Sequence, residues 1–129
     1  MKFIKGDPVT LKVDGKEYLS IRDYEEIKKN LENGNSVVHW EEGTSLYPII
    51  KDREYCLIKP IKSIDDIKIG DCVFCLVRGY YMVHRVIDII VHPTEGKYLE
   101  IGDTWNNVFG WTQNVYGIAT STGFFKDFS

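Results

Sequence analysis

Beyond residue 35 the chain is cut into pieces too short for packing helices. Residues 36–41, 55–59, 72–78, 80–91, 97–101 and 115–120 are apolar or alternating runs rich in Val, Ile and Tyr. Pro60, Gly70-Asp71, Gly79, the Pro93/Glu95/Gly96 group and Gly102-Asp103 separate them. Strand-length runs closed by Gly, Pro and Asp turns predict a mainly β fold, a compact mixed sheet or barrel-like domain. Residues 63–69 read as a short helical or irregular connection, and 105–114 as a polar-aromatic loop.

The first 35 residues differ. Residues 9–13 and 16–19 flank Asp14-Gly15, a favoured type I′ pair, and predict a hairpin. Ser20 is expected to cap a helix, with Asp23 in a capping-box position. Ile21, Tyr24, Ile27 and Leu31 give that helix an apolar stripe, and Gly34 ends it after Asn33. The fold class is therefore mainly β (α+β): one domain over 1–129, with hairpin and helix in 1–35 and a β core in 36–120. The front helix reads as a cover for one side of the sheet.

With 129 residues, 43% hydrophobic and 27% charged, the chain is long enough for a real core. A net charge of −3 argues against a nucleic-acid partner. The start of the chain has no apolar signal region, and no apolar run is long enough to span a bilayer, so a cytoplasmic protein without a membrane anchor is expected. Cys56, Cys72 and Cys75, an odd number, read as reduced thiols. Cys72 and Cys75 form a C-x-x-C inside a strand, where residues three apart face opposite ways, so neither a zinc site nor a redox disulfide is expected.

The residues suited to chemistry begin with Gly43-Thr44-Ser45-Leu46-Tyr47-Pro48. Gly43 lets backbone N–H groups approach a ligand, and Pro48 stiffens the following turn. A serine between them is a candidate nucleophile, which needs a base beside it. Among the three histidines, His84 lies in the long strand with apolar neighbours, where burial would keep the imidazole neutral. His39 reads as a core histidine bonded to a backbone carbonyl, and His92 as a turn residue. Asp71 reads as a turn cap, Arg85 as an ion-pair partner, and Asp65-Asp66 as a solvated turn. Trp105 and Trp111 suit either a peptide groove or the cover of a sheet edge.

Gly43-x-Ser45-x-x-Pro48, Gly70-Asp71-Cys72-Val73, Val83-His84-Arg85-Val86, Gly102-Asp103 and Tyr116-Gly117 follow one another along residues 37–120. This ordered set resembles the S24/S26 serine peptidase superfamily, which holds LexA-type self-cleaving repressors and type I signal peptidases. The resemblance implies a largely β catalytic domain. It implies Ser45 as nucleophile and His84 at the general-base position, as in the histidine-type signal peptidases. Asp103 is the third member available, because residues 106–110 contain no carboxylate. The chain departs from the family pattern at Leu46, where methionine is usual, and at Thr104, where asparagine is usual.

These residues imply a soluble serine endopeptidase acting through a Ser45–His84 dyad or a Ser45–His84–Asp103 triad. Backbone N–H groups of Gly43, Thr44 and Ser45 would hold the oxyanion. No metal or cofactor is expected. The expected partner is an extended peptide or protein substrate, with homodimerisation left open. The competing class is an inactive peptidase-fold module for binding or dimerisation.

Overall fold

The computed structural model describes residues 2–127. Asp14 and Gly15 take φ values of 49° and 84°, the pair of positive angles that a type I′ turn demands. They fold β2 (Thr10–Val13) back onto β3 (Lys16–Ser20), with Val13 opposite Lys16. The helix α1 (Tyr24–Glu32) begins three residues later than a Ser20 cap would set it. Ser20 stays in β3, opposite Val38, and its N–H donates to Val9 O at 2.9 Å. Asp23 caps instead, accepting from Glu25 N–H at 2.9 Å. Asp23→Ala should lower stability by about 1 kcal/mol in urea unfolding. Gly34 closes the helix as expected, its N–H donating to Leu31 O.

The remaining strands are β1 (Lys2–Ile4), β4 (Val37–Trp40), β5 (Glu54–Pro60), β6 (Cys72–Val77), β7 (Tyr80–His92), β8 (Gly96–Gly102), β9 (Val108–Thr112) and β10 (Val115–Lys126). They form one mixed sheet in the order β2-β3-β4-β5-β10-β6-β7-β8-β9, with β1 parallel to β10. The fold is mainly β with one α-helix. Besides the helix start and strand β1, three features differ from the sequence expectation. Part of the 105–114 loop is strand β9, which lacks clean alternation and gains its ladder from β8, with Leu99 opposite Thr112. The last strand runs past Thr120 to Lys126, paired with β5 through an irregularity between Ser121 and Phe125. Arg85 joins no ion pair among the described residues, and its Nε is buried without a hydrogen-bond partner.

The sheet buries three apolar clusters, and the alternation of side chains decides which residue joins which. One cluster packs Ile27 and Leu31 of α1 against Phe74, Cys56, Cys72 and Val83. A second gathers Val73, Cys75, Val86, Leu99 and Ile101 on the opposite side of β6 and β7. The third lies under the hairpin, around Val38, Tyr55 and Leu57. Cys72 and Cys75 thus belong to different clusters, and all three cysteines are free and buried. Among the described residues no helix is long and apolar enough to cross a membrane.

Candidate active site

The turn carrying Ser45 leaves β4 and closes with Tyr47 N–H donating to Thr44 O and Ile50 N–H to Leu46 O, each at 3.1 Å. Leu46 and Ile50 are its buried anchors in the α1-side cluster. Gly43 has φ 119°, a conformation that L side chains rarely adopt, and its N–H donates to Asp52 Oδ1 at 2.7 Å. That bond uses the Gly43 donor. The backbone N–H groups of Thr44 and Ser45 make no backbone bond in the turn.

A distant loop clasps this turn. Thr104 donates to the Ser45 carbonyl through both its N–H (2.9 Å) and its hydroxyl (3.0 Å). The Trp105 indole N–H donates to Thr44 O at 3.0 Å. Asp103 organises the clasp. Its Oδ1 accepts from Trp105 N–H (2.8 Å) and Asn107 N–H (3.0 Å), and its Oδ2 from the Asn107 side-chain amide (2.8 Å). Burial alone would raise the Asp103 pKa. The hydrogen bonds from Asn107 and Trp105, with His84 nearby, outweigh it and hold the carboxyl below its ordinary value.

His84 reaches the same loop by register. Arg85 pairs with Gly102 across β7 and β8, so one step further along the ladder Asp103 comes opposite His84. The ring stacks on Phe109, with centroids 4.5 Å apart, and its Nδ1 is buried without a hydrogen-bond partner. Burial lowers the His84 pKa below 6.5, and the Asp103 charge opposes that shift only in part. The imidazole is therefore neutral at pH 7.

The structure thus gathers Ser45, His84 and Asp103 around one loop, but it does not line them up as a triad. Asp103 bonds its own loop. Ser45 opens on a narrow cleft with about 30 Å³ of free interior, room for a water or two. Val83 lines that cleft, and alternation turns the neighbouring His84 to the other face of β7. The histidine that shares the cleft with Ser45 is His39, together with Glu41, Glu54 and Cys56. His39 has the expected carbonyl partner, with Nδ1 2.8 Å from Ile21 O. Sequence reasoning passed over its second contact, Nε2 to Glu41 Oε1 at 3.2 Å. The signal for it was the i, i+2 spacing at the end of a strand, where two side chains share one face.

Two glycines permit close approach. A Cβ on Gly102 would lie 2.6 Å from Asn107 O, inside the Asp103 loop. One on Gly117 would lie 2.7 Å from Lys59 O. No family model, no curated protein and no solved structure matches this chain.

Proposed function

We propose that the chain is a serine peptidase of the S24/S26 kind, hydrolysing an extended peptide or protein substrate. Neutral His84 takes the proton of the Ser45 hydroxyl as Oγ attacks the peptide carbonyl. The Thr44 and Ser45 N–H groups hold the oxyanion, and His84 returns the proton to the leaving amine. Water then hydrolyses the Ser45 ester. The observation that carries this reading is the pair of hydrogen bonds from Thr104 to the Ser45 carbonyl, which ties the serine turn to the Asp103 loop. In the resting structure the Ser45 cleft and His84 lie on opposite faces of β7, so the dyad forms only if the Ser45 turn or His84 moves when substrate binds. Three buried free thiols support a cytoplasmic setting for it.

Labelling with a fluorophosphonate, read by mass spectrometry of the intact protein, tests the proposal. An adduct is expected on Ser45, absent in Ser45→Ala and formed about 100-fold more slowly in His84→Ala. The base must be neutral, and its folded pKa is lowered. Labelling should therefore persist above pH 6.5 and fall off as pH drops through a midpoint below that value. Equal rates in wild type and His84→Ala would remove His84 from the mechanism. The competing reading, a peptidase-fold binding or dimerisation module, is favoured by the Asp103 carboxylate being taken up by its own loop. Complete resistance of the folded protein to labelling at every pH would select it.

A further inference from the structure

His39 is 3% exposed, and its two ring nitrogens face different partners. Ile21 O can only accept, so Nδ1 carries a proton toward it, at 2.8 Å. In a neutral ring Nε2 is then a bare lone pair, and it lies 3.2 Å from Glu41 Oε1. Two acceptors cannot sit that close unless a proton lies between them. The pair therefore holds one proton, either as imidazolium with carboxylate or as imidazole with carboxylic acid.

The surroundings choose between these forms. Burial lowers the His39 pKa, and the nearby Arg22 guanidinium lowers it further, against the carbonyl bond. Glu41 is partly exposed, yet the cleft wall takes enough water from its carboxyl to push its pKa up to about 7. Both effects put the proton on Glu41. Other groups also face the pair. The Tyr24 ring lies 5.4 Å from the His39 ring, and the Cys56 thiol is pushed up by burial and stays neutral. Glu54 spends its carboxylate on the N–H groups of Lys51 and Gly123 and the Ser121 hydroxyl. Glu42 lies 4.0 Å from Arg53, and Lys51 is at the exposed rim.

We propose that His39 and Glu41 share a single proton and act as a charge switch for the Ser45 cleft, which gains one negative charge when they release it. Cationic groups are then favoured more strongly on the alkaline side of the switch. Only this consequence for a bound peptide rests on the peptidase reading. The switch itself needs no reaction at Ser45.

Proton bookkeeping gives a distinctive signature. On unfolding, an ordinary histidine at 6.5 and an ordinary glutamate at 4.5 hold one proton in total between pH 4.5 and 6.5. The folded pair also holds one, so in that window the pair adds no pH dependence to stability. Above pH 6.5 the unfolded chain loses its proton first, so stability falls until the folded pair releases its own near pH 7. In Glu41→Gln the amide N–H donates to Nε2 permanently, and folded His39 stays neutral. Unfolding then takes up one proton below pH 6.5.

Two measurements test this. In the intact protein, NMR of the Glu41 carboxyl carbon and His39 ring nitrogens should show one shared midpoint near pH 7, with His39 keeping its Nδ1–H tautomer. In Glu41→Gln the His39 midpoint should vanish from that range. In urea unfolding, the ratio of wild-type to Glu41→Gln unfolding constants should change by about tenfold per pH unit between pH 5 and 6. A Glu41 midpoint in the ordinary carboxylate range, or a ratio that does not move with pH, overturns the switch. The NMR titration reads the resting protein, so it stands or falls separately from labelling at Ser45.

Discussion

Phe74→Ala is expected to destabilise the protein by about 3–5 kcal/mol, as large-to-small changes at filled aromatic sites do. Phe74 is fully buried, in the middle of β6. Its ring stacks on Tyr81 at 5.7 Å and meets Tyr24 at 5.8 Å and Tyr116 at 5.9 Å. Those neighbours come from α1, β7 and β10, so one ring joins the helix to three strands. None of them can move into the space without leaving its own strand or helix, and the cavity would stay open. Against a total stability of roughly 5–15 kcal/mol, the loss takes a large share. Urea unfolding measures it directly. A change below about 1 kcal/mol would mean that α1 closes over the gap, and that the cluster beneath it is softer than described.

Asp103→Ala is expected to lower stability by about 3 kcal/mol, and the melting temperature by about 10 °C. The side chain is 6% exposed and accepts three hydrogen bonds within the loop of residues 103–107. Removing it leaves the Trp105 and Asn107 N–H groups without their acceptor and frees the clasp on Ser45. This outcome separates two roles. A residue whose task is to orient His84 would lose reaction rate with little loss of stability. The hydrogen bonds favour the loop role, so the stability loss should come first, and Asp103→Asn, which keeps one acceptor oxygen, should recover part of it. Unchanged unfolding with a collapsed labelling rate would instead assign the carboxylate to His84.

Parts of this architecture were legible in the chain because their causes are local. The Asp14-Gly15 turn, the Gly34 helix stop and the alternation along β6 and β7 each depend on residues within a few positions of one another. The alternation also separated Cys72 from Cys75 before any fold was known. Strand β9 was not legible, because Gly110 breaks its pattern and its ladder comes from β8. Ser20 and Asp23 are both good caps, and only the pairing of Ser20 with Val38 left the task to Asp23.

The candidate site divides the same way. The sequence alone determined that Ser45 sits in a stiff turn, that His84 lies in an apolar strand and that Asp103 follows a strand end, since each is a property of its own segment. Only the tertiary structure decided how these segments meet. Register across β7 and β8 brought Asp103 opposite His84, and the Thr104 clasp tied the Asp103 loop to the Ser45 turn. The buried anchors Leu46 and Ile50 drew that turn onto the Val83 face, where His39 and Glu41 share its cleft. A turn's own residues fix its shape. The face it lands on follows from which apolar side chains it can bury, and that choice is made by strands far away in the sequence.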